Sequence, residues 1–196
     1  EQKPNINLNS FKSNVNDKAI SVDANNLTTE QMTELSLFAS DLLNQIRERF
    51  GTPKTVVTKG MLQVADEVTD CYVADDWGFG KGHDSKAVND VARKYGLPTY
   101  EDDTHQYLEN LNSSNNGDKI HTMDDAKKWV YESIYKLMFS DWEWEHAQNL
   151  AGLSSARGAT KEYFGLDISK TMGRTSVHFL TVSDNQVTGN KLDKTE

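Results

Sequence analysis

Tyr163-Phe164-Gly165-Leu166-Asp167-Ile168 and Ser176-Val177-His178-Phe179-Leu180-Thr181-Val182 are the two stretches that decide the fold class. Both are short runs rich in β-branched and aromatic residues, and the intervening Lys170 to Thr175 is turn-like, which predicts a hairpin or two sheet strands. Everything strongly periodic upstream of them is helical. Helices first and strands late, with no alternation of strand and helix, predict an α+β fold: helices packed on a small, mainly antiparallel sheet.

The upstream helices carry their own start and stop signals. Thr28-Thr29-Glu30-Gln31 offers a capping box, and Met32, Leu35, Phe38, Leu42, Leu43, Ile46 and Phe50 follow at helical spacing up to Gly51 and Pro53. A second helix starts near Thr58 with Met61, Val64, Ala65, Val68 and Tyr72 on one face. After the glycine-rich loop Trp77 to His83, Asp84 caps a third helix that ends at Gly96 and Pro98. Tyr100 to Leu111 reads as acidic and partly extended, and Asn112 to Asp118 as a polar loop. Thr122 caps a long helix with Asp124 and Asp125 in its first turn, and a short helical turn covers His146 to Leu150. Residues 1–27 lack sustained periodicity and read as an extended arm or linker. The main domain then spans 28–184, and 185–196 is a linker or tail.

The chain has 196 residues, a formal charge of −9 and one cysteine. The negative charge and the lack of clustered Lys and Arg disfavour nucleic acid as a partner. No apolar run is long enough for a membrane span. A single cysteine, Cys71, cannot form an internal disulfide. Its acidic neighbours raise a thiol pKa, so a semi-buried core thiol is favoured over a nucleophile.

Five histidines are present, and two sit where chemistry could use them. His83 follows the glycine loop at a helix mouth, and His146 belongs to Trp142-Glu143-Trp144-Glu145-His146. An imidazole beside carboxylates can bind a metal or move protons near neutral pH, but a capping or solvated role explains each residue taken singly. Two neutral imidazoles supply two zinc ligands, which would make an open, labile site on His83 and His146. His178 alternates with apolar residues on its strand and faces either the cleft, the core or the surface, whereas His105 and His121 read as solvated. Trp142 and Trp144 read either as a recognition wall or as plugs between the long helix and the sheet.

Taken in order, Leu43-Asn44-Gln45-Ile46-Arg47, Gly82-His83-Asp84, Glu109-Asn110-Leu111, Trp129 and Glu145-His146-Ala147-Gln148-Asn149-Leu150 resemble the CAP superfamily of cysteine-rich secretory and pathogenesis-related proteins. The bacterial branch of that superfamily lacks the disulfides. Thr122-Met123-Asp124-Asp125 leading into Val130-Tyr131, then His146-Ala147, is most similar to surface exclusion proteins of the PrgA type on Gram-positive conjugative plasmids. The resemblance runs from about Leu27 to Val182 and implies a CAP-like α-β-α sandwich with a cleft that gathers two histidines and two acidic residues. Those residues would be His83, Glu109 and His146, with Glu132 or Glu143 as the second carboxylate.

The same resemblance implies an extracellular, cell-surface domain from a longer wall-anchored chain, interacting with a surface adhesin or a cell-wall component and limiting redundant conjugation or aggregation. A peptidase that cleaves an adhesin with a His/Glu cleft, metal-assisted by zinc, is the alternative, and small-ligand or lipid binding comes third. The sequence has neither a His-Glu-x-x-His helix nor a Gly-x-Ser-x-Gly elbow, so no classical peptidase signal supports catalysis.

Overall fold

In the computed structural model, which describes residues 10–115, 119–140 and 144–196, five α-helices enclose one four-stranded sheet. The helices are α1 (Thr29–Phe50), α2 (Lys59–Ala74), α3 (Ser85–Tyr95), α4 (Met123–Phe139) and α5 (Trp144–Leu150). The strands are β1 (Lys54–Val57), β2 (Glu109–Ser114), β3 (Lys161–Thr171) and β4 (Arg174–Ser183), in the spatial order β1-β3-β4-β2.

The β3–β4 hairpin is the centre of the sheet, antiparallel with Gly165 opposite Leu180 and Asp167 opposite His178. β2 adds antiparallel to β4, and β1 adds parallel to β3. Every second residue of a strand faces the same layer, and the two faces are buried by different helices. Phe164, Leu166, Ile168, Val177 and Phe179 pack with the apolar stripes of α1 and α4. Tyr163, Leu180, Val182 and Leu111 pack with α2 and α3 on the opposite face. The result is the α-β-α sandwich, with the sheet buried on both faces.

The capping signals act as the sequence suggests. Thr28 and Gln31 complete a capping box on α1, Thr122 and Asp125 complete one on α4, and the Asp84 side chain accepts from the Ala87 amide at 3.1 Å. α2 lies so close on β3 that a Cβ on Gly165 would stand 2.4 Å from the Met61 carbonyl oxygen. Only glycine permits that approach.

All four strands differ from the sequence reading, one by its existence and three by their ends. β1 carries four residues, too few for an alternating pattern to emerge between Pro53 and the cap of α2. β2 continues through Ser114, into residues whose polarity suggests a loop, because Asn112 donates to Ser133 of α4 at 2.9 Å and its backbone pairs with Val177. β3 and β4 each run past their apolar cores to a tight turn at Met172-Gly173.

The flanking segments pack on the sandwich through isolated apolar anchors. Residues 10–27 cross α1 and α4: Val22 donates to His121 O at 2.9 Å, Lys127 of α4 bridges Asp17 and Glu34 at 2.8 Å each, and Ala24 enters the core. At the other end, Leu192 is buried with the α2–α3 layer, and the Gly60 and Lys59 amides each donate at 2.8 Å, to Asp193 O and Thr195 O. Single anchors of this kind have no period for a sequence to display.

Candidate functional site

β2 is an edge strand, and its first two residues point to opposite faces of the sheet. Glu109 enters the α2–α3 side and Asn110 the α1–α4–α5 side. Two histidines arch over this edge, one against each residue.

The Glu109 carboxylate is almost wholly buried, at 4 % exposure, and is surrounded by donors. Its Oε1 accepts from Tyr72 Oη at 2.6 Å and contacts His83 Nδ1 at 2.7 Å; its Oε2 contacts His178 Nδ1 at 2.7 Å. His178 in turn meets Ser169 Oγ through Nε2 at 2.7 Å, and its ring lies edge-on to Tyr72 at 4.6 Å. Burial opposes ionisation of Glu109, but the two imidazoles outweigh it, His178 more than His83, and hold the carboxyl at about 2. An ionised carboxylate is an acceptor only, so both Nδ1 atoms carry protons and donate to it. That fixes the tautomer of His83: in the neutral ring, Nε2 is the acceptor.

Tyr72 is the hub of the buried half. Its hydroxyl donates to Glu109 and accepts from the Asp84 amide at 2.7 Å, tying α2 to the start of α3 and to β2. Burial, then Glu109, pushes its phenol well above the ordinary range, so it remains a donor at any physiological pH. The loop that delivers His83 is closed by Trp77 Nε1 donating to Gly82 O at 3.0 Å, with Gly82 at a φ of 78° that disfavours any side chain. Asp84 beside it is raised to about 6, by burial first and then by contact with the Asp75 carboxyl.

On the other face, His146 Nδ1 lies 2.9 Å from Asn110 Oδ1, which also faces Asn149 Nδ2 at 3.5 Å. The amide oxygen accepts, so the His146 tautomer matches that of His83. α5 is positioned for this by Arg47, a fully buried side chain near the end of α1. Its guanidinium donates to Leu150 O at 3.0 Å, Asn149 O at 3.2 Å and Pro53 O at 2.8 Å, and pairs with Glu162 at 3.4 Å. The rings of His83 and His146 come to 6.3 Å of one another.

The structure therefore brings together His83, Glu109 and His146, and adds His178, which the sequence leaves between cleft, core and surface. Tyr72 and Ser169 carry no sequence signal at all: a tyrosine on an apolar helical face and a serine past the apolar part of a strand look structural until the tertiary fold aligns them. Glu132 is not brought to the cluster. It lies exposed on α4 and faces Lys128 at 3.9 Å, because the inward stripe of that helix is Val130, Ile134 and Leu137. Glu143 and Trp142 lie outside the described residues. Trp144 is 69 % exposed and plugs nothing. Cys71 is half-buried, and its thiol is pushed up by burial and then by Asp75, Asp84 and Asp70, as its acidic neighbours suggest.

Among the described residues, no group of three or more His, Cys, Asp or Glu side chains could hold a metal ion. His83 and His146 bring two imidazoles to one cleft, while Glu109 is committed to ring N–H and phenol donors. A groove of about 640 Å³, lined in part by Met32, Leu37, Val57, Leu62 and Asp66, runs along β1, at the opposite edge of the sheet from the histidines. Among the described residues no helix is long and apolar enough to cross a membrane.

No family model and no curated protein sequence matches this chain. Among solved structures, it is similar to the CAP domain of Enterococcal PrgA, with a TM-score of 0.71 over 92 % of this chain and 75 % of that one, at 19 % identity. At that identity the likeness speaks for architecture alone: the chain has a CAP-like fold.

Proposed function

Starting from a CAP-like fold, we propose that this chain is a cell-surface binding domain of the surface exclusion type. It acts outside the cell, contacts a surface adhesin or a cell-wall component, and so limits redundant conjugation or aggregation between plasmid-bearing cells. Architecture does not assign chemistry, so the choice between binding and hydrolysis rests on the site.

The observation that carries the binding reading is the state of Glu109. A general base works best with a pKa near the operating pH and within reach of a water. Glu109 is held at about 2, is buried, and has both oxygens occupied by Tyr72, His83 and His178. Such a carboxylate is a poor base and a good orienting anion. It presents His83 to the cleft with Nε2 as acceptor, and Asn110 presents His146 in the same way. Two imidazoles at one cleft, in their neutral form, would suit a partner that brings hydrogen-bond donors, or a labile zinc ion whose remaining positions are filled by water or by the partner.

The test is a mating assay in cells that carry the full-length protein with this domain native, with His83→Ala and His146→Ala together, or with Glu109→Gln. Exclusion that drops in the double histidine variant while the adhesin stays intact in every strain supports a binding cleft built on the imidazoles. Adhesin that is cleaved by the native protein and spared by the Glu109→Gln variant would replace this reading with the peptidase. Zinc calorimetry on native and double-variant protein then decides whether the imidazoles take a metal, since ligation must disappear with both rings.

A further inference from the structure

Glu109, His178 and Ser169 stand on three neighbouring strands, β2, β4 and β3, and their side chains form one row of hydrogen bonds across the sheet. Taken inward from the cleft, His83 Nδ1 meets Glu109 Oε1, Glu109 Oε2 meets His178 Nδ1, and His178 Nε2 meets Ser169 Oγ, each at 2.7 Å. A serine, an imidazole and a carboxylate in that order are the parts of a nucleophilic triad. Here the serine is closed off: Ser169 is 1 % exposed and His178 is fully buried, so no acyl group can reach the hydroxyl. Of the four side chains, that of His83 alone is partly open to solvent, and the effect of the row is exerted there.

The inner links supply orientation. The terminal torsions of Glu and His side chains are broad, so neither group is aimed by its own rotamer. Glu109 is aimed because both of its oxygens are engaged, Oε1 by Tyr72 and His83 and Oε2 by His178. His178 in turn is held at both ring nitrogens, by Glu109 and by Ser169. Asp167, which lies opposite His178 across the β3–β4 pair, bonds Thr69 at 2.5 Å instead. A hydroxyl suits the innermost position, because it donates to Nε2 of a neutral ring and accepts from an imidazolium. With Ser169 in place, His178 keeps its Nδ1–H on Glu109 in either charge state.

We propose that Ser169 and His178 are positioning residues for His83: acting through Glu109, they hold its ring in the Nδ1–H tautomer before any partner arrives. An unconstrained imidazole in water favours the Nε2–H tautomer, so the Nδ1–H form has to be imposed by an aligned acceptor. Imposing it in the free chain removes an ordering cost from recognition. The proposal rests on the binding reading only for the use made of the His83 ring; the tautomer is a property of the chain alone.

The test is long-range ¹H–¹⁵N correlation of the histidine rings in the whole labelled chain, without added metal, at about pH 8, where an ordinary imidazole is neutral. The variants are Ser169→Ala and His178→Phe, which break the row, and Ser169→Thr and His178→Asn, which keep a hydroxyl at one position and an N–H donor to Oε2 at the other. In the native chain His83 is expected as a single Nδ1–H tautomer, its ring proton exchanging about tenfold more slowly than that of exposed His121. In Ser169→Ala and His178→Phe the His83 ring should pass to a mixture dominated by Nε2–H, with exchange as fast as that of His121. Ser169→Thr and His178→Asn should restore the native pattern, which a loss of packing alone would not explain. A native His83 in the Nε2–H form overturns the proposal, and so does an Nδ1–H form that persists in folded Ser169→Ala; should His178→Phe fail to fold, the two Ser169 variants decide. A tautomer that moves in Ser169→Ala while exclusion in the mating assay is unchanged supports the positioning role and counts against the binding cleft.

Discussion

The two edges of the sheet solve the same problem with different chemistry. An edge strand presents backbone groups that nothing in the sheet can pair. At β1 the seal is neutral: Asn44 of α1 accepts from the Thr55 amide at 2.7 Å and donates to the Thr55 carbonyl at 2.9 Å, while Ser40 bonds the Thr55 hydroxyl at 2.7 Å. At β2 the neighbours are titratable: an ionised Glu109 beneath two imidazoles, and Asn110 beneath a third. At the β1 edge the backbone of Thr55 is met by neutral side chains, and the charged groups there, Lys54 on the strand and Asp66 in the groove, do not take part in that seal. The β2 edge concentrates a buried anion and ring nitrogens beside a cleft, and the proposed binding role is placed there.

The sharpest way to break that contrast is to remove the anion. Glu109→Ala leaves two ring N–H groups and a phenol without their acceptor, and is expected to cost about 3–5 kcal/mol in denaturant unfolding at neutral pH. The pH dependence follows from the sign of the shift. With the folded value at about 2, below an unfolded value of about 4.3, the contribution of Glu109 is complete above about pH 4.3 and is lost as pH falls through 2. A native chain whose acid limb between those values matches that of Glu109→Gln would contradict the assignment.

The neutral edge should be weaker but still measurable. Asn44→Ala removes the side chain that bonds both the N–H and the carbonyl of Thr55, leaving Ser40 Oγ at 3.3 Å from that carbonyl, and is expected to cost about 2 kcal/mol, with no change in slope between pH 4 and 8. A pH-dependent loss there would erase the distinction between the edges.

Asp167, two residues along β3 from Ser169 and opposite His178, shows what a buried carboxylate does when no ring N–H hydrogen-bonds to it. Burial pushes it up to about 6, against the hydrogen bond from Thr69. Here the sign is opposite: the ionised folded form is penalised above about pH 6, and the penalty disappears below the unfolded value of about 3.9. Asp167→Asn is therefore expected to stabilise the chain by about 1–2 kcal/mol at pH 7 and by nothing at pH 3.5, read from paired thermal melts. The smallest effect belongs to the solvent side of the cleft. His146→Ala, at a half-buried ring bonded to the Asn110 amide, should change stability by less than about 1 kcal/mol, so a loss of exclusion in that variant with the fold retained reports on binding.

Much of this molecule was legible in its residues. Four of the helices are announced by caps, stops or apolar stripes, the fifth only as a short helical turn, and the hairpin by its two β-rich runs, because capping and periodicity act within a few residues of chain. His83, Glu109 and His146 were legible as candidates through the ordered motifs of the CAP resemblance. β1 was not, since four residues carry no period, and its place beside β3 depends on a parallel pairing across more than a hundred residues. Glu132 was named for its spacing from Trp129, and its helical phase turns it to solvent.

By itself, then, the sequence determined which segments coil, where they stop, and that the candidate residues lie on a glycine loop, an extended segment and a short helical turn, all consequences of short-range sterics and hydrogen bonding. Only the tertiary structure decided that His178 reaches Glu109, that Tyr72 joins α2 to that carboxylate, and that Arg47 holds α5 so that His146 faces His83. Those contacts join residues 37 to 103 positions apart, and whether a polar group is paired or orphaned is settled by which distant donors the packed layers bring within 3 Å.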